Sequence, residues 1–346
     1  MEHRFLGEIC CPKQWKTIST SELTETGYPV YGANGIIGKY KEYNHEKATI
    51  LVTCRGATCG SVVISKPYSY VNGNAMALDN LDDDICIDYL YFYLIGRGFA
   101  DVISGSAQPQ IIRSTIEKIR IPLYNFEKQK QIASVFSTIN GMKLKFELLI
   151  EKYDQLVKAR FVEMFGSVHD SVYYPYLPVG NFTKVISGGT PNRKKDEYWK
   201  RGNIPWIKTT ELQNDVIKKT EECITEVGLK ESSAKIVPIG TVLVAMYGQG
   251  KTRGKTAYLD IEACTNQACA CILPSQNVNS KYLWKYFELS YEKLRSLAQG
   301  AGQPNLNGNM IKDFPVLIPP INMQNDYVSF VEQVDKSKFR DFIPHK

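Results

Sequence analysis

The stretch AMYGQGKTRGKT, residues 245–256, sets three cations, Lys251, Arg253 and Lys255, on a glycine-rich segment that follows the apolar run Val242, Leu243 and Val244. Glycines let backbone amides approach an anion closely and the cations neutralise it, so anion binding is the chemistry this spacing offers. The ending Gly250, Lys251, Thr252 imitates the tail of the GxxxxGK[ST] phosphate loop. That motif needs glycine where Ala245 stands and an acidic strand end for magnesium, and neither is evident; a nucleotide phosphohydrolase working through Lys251 is therefore the disfavoured alternative. A polyanion fits better. Lys251, Arg253 and Lys255 would meet phosphates while Tyr247 and Gln249 approach bases, since glutamine and arginine are the side chains suited to bidentate contact with adenine and guanine.

A second cluster supports the same chemistry. Between residues 184 and 208 stand seven cations, Lys184, Arg193, Lys194, Lys195, Lys200, Arg201 and Lys208, against two acids, Asp196 and Glu197. Tyr198, Trp199 and Trp206 are interleaved with them, Trp206 being a contact candidate. The excess of cations favours a nucleic-acid face, and a solvated charged loop is the alternative reading. In the first half the analogous candidates are Tyr31, Asn34, Lys39, Tyr40, Lys41, Arg55, Asn72 and Asn74. There Asn34 and Gly35 read equally as a turn, and Tyr31 and Tyr40 equally as core. The acids Asp79, Asp82, Asp83 and Asp84 would repel phosphate, so they are expected away from it, where they could face a protein partner.

Enzyme chemistry finds little support. The four histidines, His3, His45, His169 and His345, are isolated from one another. The nine cysteines include no CxxC pair, and the spacings of Cys54 with Cys59 and of Cys264, Cys269 and Cys271 fit neither a zinc site nor a secreted disulfide frame. Buried thiols and no metal are predicted. No NPPY or DPPY motif for adenine methylation occurs, and no glycine-rich loop has the strand and acid that S-adenosylmethionine binding asks for. A chain of 346 residues with 43% apolar side chains predicts two globular domains. The net charge of +6 and a pI near 8.7 suit a polyanionic partner. No run approaches the ~20 apolar residues of a membrane span and the first residues lack a signal-peptide core, which predicts a cytoplasmic location.

The elements that position these residues occur twice. Sliding the chain by 195 residues lays GSAQPQIIRSTIEKIRIPLYNFEKQKQIASVFSTIN, from Gly105, over GAGQPNLNGNMIKDFPVLIPPINMQNDYVSFVEQVD, from Gly300. Gln108 meets Gln303, Pro109 meets Pro304, Ile116 meets Ile311 and Gln129 meets Gln324, while the apolar positions stay in register. Upstream, GYPVYGANGIIGKY at Gly27 meets GNIPWIKTTEL at Gly202, and ILVTCRGATCG at Ile50 meets VLVAMYGQGKTRG at Val242. The glycine loop is thus a turn shared by both copies, with cations added in one. Short apolar runs bounded by glycine and proline predict strands, and residues 88–94 and 281–289 predict short helices, giving two α+β domains.

From residue 127 to about 165 there is no proline, and Ile132, Val135, Ile139, Met142, Phe146, Leu149, Tyr153 and Leu156 recur at alternating steps of three and four. This is a coiled-coil seam on a helix of roughly 58 Å, which needs a partner. The second copy begins at Gln324 and carries Tyr327, Phe330 and Val334 in the same register. Pro344 would break it, which leaves it much shorter than the first.

Two diverged strand-rich domains, each followed by a pairing helix, resemble the specificity (S) subunit of type I restriction-modification enzymes over the whole chain. The residues that carry the resemblance are GYPVYGANGIIG at Gly27, GSAQPQIIR at Gly105, IPLYNFEKQKQIASVF at Ile121, SGGTPNRKKDEYWKRGNIPWIKTTEL at Ser187, TNQACACI at Thr265, GAGQPNLN at Gly300 and IPPINMQNDYVSFVEQVDKSKF at Ile318. The resemblance implies target recognition domains at residues 1–125 and 171–322, each reading one half of a bipartite DNA site. It implies spacer helices at 126–170 and 323–346, the second truncated. It also implies a subunit without catalytic activity or cofactor, on which two modification subunits that bind S-adenosylmethionine dock to methylate adenine, with restriction subunits joining them. The seam from Met142 to Leu156 is then expected to lack its full intramolecular partner, which leaves three readings open: a chain competent alone, one that pairs its long helix with another copy, or a shortened or variant gene product; a scaffold that assembles the methyltransferase without reading DNA is a further alternative.

Overall fold

The computed structural model describes residues 2–33, 35–105, 108–248, 250–298 and 305–338, with backbone alone for 339–342. The chain divides into two compact units, residues 1–145 and 146–346. Unit one contains β1 (Glu2–Phe5), α1 (Leu6–Ile9), β2 (Cys11–Gln14), β3 (Tyr28–Gly32), β4 (Gly35–Tyr40), β5 (Ile50–Thr53) and β6 (Val62–Ile64). It continues with β7 (Tyr70–Val71), β8 (Ala75–Asp79), α2 (Ile87–Arg97), α3 (Arg113–Ile116), β9 (Arg120–Leu123) and the start of α4 (Phe126–Phe165), within which the division falls. Unit two contains β10 (Tyr176–Pro178), β11 (Val185–Ser187), β12 (Ile204–Ile207), β13 (Asp215–Ile217), β14 (Glu222–Ile224), α5 (Glu226–Lys230), β15 (Val242–Ala245) and β16 (Thr256–Leu259). After these come β17 (Cys264–Thr265), β18 (Cys269–Ile272), α6 (Ser280–Leu289), α7 (Tyr291–Ser296), α8 (Gly308–Lys312), β19 (Pro315–Leu317) and α9 (Ile321–Phe342).

The two units share one plan. The main sheet runs β2-β8-β5-β6 in unit one and β11-β18-β15-β16 in unit two, where β13 adds an edge strand. A three-stranded sheet follows in each, β4-β3-β7 and β14-β12-β17, whose central strand pairs antiparallel on one side and parallel on the other. A two-stranded sheet completes each, β1-β9 and β10-β19. The continuous apolar runs of the sequence are explained by burial on both strand faces. Val242 and Val244 point into one core cluster with α6, while Leu243 and Ala245 point into another. Ile50, Val52 and Leu51 divide the same way in unit one.

The same joint closes both modules. Gln129, at the start of α4, donates to the carbonyls of Asp84 and Tyr124 and accepts from the Cys86 amide that begins α2. Gln324, its repeat mate on α9, donates to Pro319 and accepts from the Asn279 amide that begins α6. Tyr89 and Tyr282, each three residues into that helix, donate to the carbonyls of Pro122 and Leu317, again repeat mates. Burial pushes the Tyr89 hydroxyl up to about 12, so it remains a donor at neutral pH.

The expected seam lies open over much of its length. Val135, Ile139, Met142 and Leu156 are exposed and Ile132, Phe146, Leu149 and Tyr153 are half-buried. In unit two, α4 meets α9 through Val157, Phe161 and Phe165 instead. An α-helix drifts by ~20° per heptad against a strict 3.5-residue repeat, which carries the contact from Leu156 to Val157. On α9, Tyr327 and Val334 are buried while Phe330 is half-buried under the Arg160 guanidinium, 5.6 Å from its ring. The helices run in opposite directions: the Tyr327 ring lies 5.5 Å from that of Phe161, and Lys338 bonds Asp154 at 2.7 Å.

Candidate nucleic-acid interface

The stretch 246–255 is a hairpin loop. It joins β15 to antiparallel β16, with Val244 opposite Thr256, and no helix follows it. A phosphate loop works by aiming a strand at a helix N-terminus, so this geometry disposes of the nucleotide reading. Tyr247 and Lys251 are exposed and Arg253 and Lys255 half-buried; Gln249 lies outside the described residues. Lys255 Nζ donates to Gln213 Oε1. The counterpart loop in unit one, between β5 and β6, carries the exposed Arg55, and Gly56 donates to Pro109 at 3.2 Å. Repeat mates again match, since Ile111 donates to Cys54 and Leu306 to Met246.

The cations of 184–208 are largely neutralised inside their own module. Arg193 stacks 3.7 Å from the Trp199 ring and pairs with Glu222. Lys208 bonds Glu221 at 2.7 Å and Glu222 at 3.1 Å. Lys195 lies 3.5 Å from Glu231 and donates to Tyr198 at 2.6 Å, and Lys200 pairs with Asp196. Burial pulls Glu222 upward, but hydrogen bonds from Arg193 and Lys208 outweigh it and hold the carboxyl below its usual range. Among the described residues, Lys184, Lys194 and Arg201 make no ion pair and stand exposed. The count of seven cations to two acids missed Glu221, Glu222 and Glu231, which sit on β14, α5's end and the turn before them and fold back onto the cluster.

Three sequence candidates are core instead. Trp206, 1% exposed, donates to the Gly189 carbonyl at 2.9 Å, and Arg193 lies above it. Tyr31 is buried and its hydroxyl accepts from the Lys66 amide at 3.0 Å. Asn72 is buried and clamps Ile18, accepting from its amide and donating to its carbonyl. Each lies on or beside the parallel seam of the small sheet, where packing and backbone satisfaction take the side chain inward. Tyr40 is half-buried, its ring edge-on to Tyr70 at 5.4 Å, while Lys39, Lys41 and Asn74 are exposed; Asn34 lies outside the described residues. Among the aromatic side chains that reach the surface of unit one, Tyr28, Tyr43 and Tyr68 are stacked edge to face at 4.8 and 5.3 Å.

The acid run is also used internally. Asp79 accepts from Trp15 at 3.0 Å and meets His45 at 2.9 Å, and Arg4 pairs with Asp82 and Asp84. Cys10, Cys54, Cys264, Cys269 and Cys271 are buried, and burial pushes the Cys264 and Cys271 thiols up to about 11. Among the described residues no group of three or more His, Cys, Asp or Glu side chains converges as a metal site, and no helix is long and apolar enough to cross a membrane.

Each copy of the strand-rich module thus carries a hairpin loop with at least one cation, Arg55 in unit one and Lys251, Arg253 and Lys255 in unit two. The chain belongs to the family of type I restriction modification DNA specificity domains, which matches residues 1–151 and 177–340. It is similar to the EcoR124I/EcoR124II specificity subunit of Escherichia coli, 24% identical over 265 residues, covering 73% of this chain and 64% of that one. It is also similar to the MjaIX specificity subunit of Methanocaldococcus jannaschii, 32% identical over 171 residues, covering 47% of this chain and 37% of that one. The chain thus spans less than two thirds of the length of these relatives. In fold it matches the S subunit of a type I system from M. genitalium with a TM-score of 0.65 at 15% identity, over 98% of this chain and 90% of that one.

Proposed function

We propose that the chain is the DNA sequence-recognition subunit of a type I restriction-modification complex, with no catalytic role of its own. Residues 1–125 and 171–322 act as target recognition domains, each reading one half of a bipartite duplex site. Residues 126–170 and 323–346 act as the helical spacer that sets the gap between half-sites. Its partners are double-stranded DNA and two modification methyltransferase subunits, which bind S-adenosylmethionine and methylate adenine, with restriction subunits joining them in the cytoplasm. The exposed side chains Val135, Ile139 and Met142 give the long helix a surface for self-association. One observation carries the reading: a single chain holds the same three-sheet plan twice, with the family match falling on both copies.

Selection from random duplex pools, by the chain together with its methyltransferase subunits, tests this. A bipartite motif is expected, and inserting one heptad near Gly141 is expected to change the gap while leaving both half-site sequences alone. Enrichment of no motif would leave an assembly scaffold as the better description, and a changed half-site with an unchanged gap would remove the spacer role.

A further inference from the structure

Helix α7 holds the cationic hairpin loop by its backbone. The Tyr291 hydroxyl donates to the Lys251 carbonyl at 2.8 Å, and Arg295 Nη1 donates to the Arg253 carbonyl at 3.0 Å and to the Tyr291 hydroxyl at 3.1 Å. The three bonds form a chain in which each polarises the next. Gly254, at φ +85°, lies against both side chains, so close that a Cβ there would stand 3.2 Å from Arg295 Cγ and 3.4 Å from Tyr291 Cδ2. Its counterpart Gly60, at φ +89°, rests on Phe99 and Ile103. Both modules therefore seat the loop glycine on the segment after the second helix, but unit one offers an apolar seat and unit two a pair of hydrogen-bond donors aimed at loop carbonyls. Those carbonyls belong to Lys251 and Arg253, two of the residues assigned to phosphate, and Gln213 fixes the third, Lys255.

We infer that Tyr291 and Arg295 are positioning residues for DNA recognition by unit two, fixing where the loop residues Lys251, Arg253 and Lys255 present their side chains without touching DNA themselves. This rests on the recognition reading above. Pinning the backbone before the encounter lowers the ordering cost of binding and fixes which bases the loop side chains can reach.

The full chain with its methyltransferase subunits, on the duplex that the wild-type complex selects, supplies the test. Tyr291→Phe keeps the ring and removes one donor, and Arg295→Ala removes two. Each is expected to weaken binding about five- to tenfold and to relax discrimination against duplexes altered in one half-site only. The slope of log affinity against log salt should stay unchanged, because no phosphate contact is lost. Lys251→Ala should lower that slope by about 1 and leave discrimination intact. Arg295→Lys, which retains a donor, should restore most of the affinity. Unchanged binding in both Tyr291→Phe and Arg295→Ala, or equal weakening on matched and altered duplexes, would overturn the inference, as would a slope lowered by about 1 in Arg295→Ala. Failure of the wild-type complex to select any duplex would instead overturn the recognition reading itself.

Discussion

Phe136 and Ile139 in unit one are 48% and 55% exposed, whereas their repeat mates in unit two, Val331 and Val334, are 4% and 6% exposed. Their placement is alike: each pair lies about two and three turns beyond the buried glutamine that ties its helix to α2 or α6. What differs is the cover. In unit two the last third of α4 lays Val157, Phe161 and Phe165 over this face, and their rings interlock with Tyr282, Tyr286 and Tyr327. In unit one the rings of Phe92 and Phe136 stack on this face, 5.6 Å apart. Unit one therefore closes its core with this face left open, whereas in unit two the end of α4 is part of the same core as the face it covers.

The largest expected effects sharpen this contrast. Phe161→Ala removes a fully buried ring and should cost about 3–5 kcal/mol in urea unfolding of the full chain. Val334→Ala should cost about 1–3 kcal/mol because its side chain leaves a packed interface, while Ile139→Ala at the mate position should stay within about 0.5 kcal/mol. Equal losses at positions 139 and 334 would mean that unit one's face is covered in solution.

The shared joint should behave alike on both sides. Gln129→Ala strands one helix-opening amide and two loop carbonyls, Gln324→Ala one amide and one carbonyl, and each should cost about 1–3 kcal/mol. Hydrogen exchange resolves the two, with faster exchange at the start of α2 for the first and at the start of α6 for the second. A loss confined to one of them would break the equivalence of the modules.

These pairs also show what the sequence discloses. The coincidence of Gln129 with Gln324 is readable from the repeat, and so are the strands at residues 50–52, 62–64 and 242–244, because turn glycines bound apolar runs that recur in both copies; the order of strands in the sheets is not. The role of the glutamines is not readable, since their partners Cys86 and Asn279 are distant in the chain. Trp206, Tyr31 and Asn72 mislead for a related reason: residue type alone cannot tell an aromatic or amide that satisfies buried backbone from one that faces solvent. The cation count fails differently. Glu222 and Glu231 lie outside the window in which Arg193, Lys195 and Lys208 were counted, and only the fold returns them. Tyr291 and Arg295 carry no sequence signal as loop anchors, because what they bind is backbone.

The smallest effect separates the two candidate surfaces. Arg55 in unit one is exposed and makes no ion pair among the described residues, whereas Lys208 in unit two is engaged by Glu221 and Glu222, whose hydrogen bonds raise its ammonium above the usual range. A cation already neutralised by carboxylates displaces few counterions when it meets phosphate, because the pair must first part. Arg55→Ala should therefore lower the salt slope of DNA binding by about 1, and Lys208→Ala should lower it by clearly less. Glu221→Gln combined with Glu222→Gln should then make Lys208 behave like Arg55, with a slope that becomes measurably sensitive to Lys208→Ala in that background. If Lys208→Ala already lowers the slope as much as Arg55→Ala, the carboxylates let go on binding and the pairing around Glu222 exerts no restraint on how unit two meets phosphate.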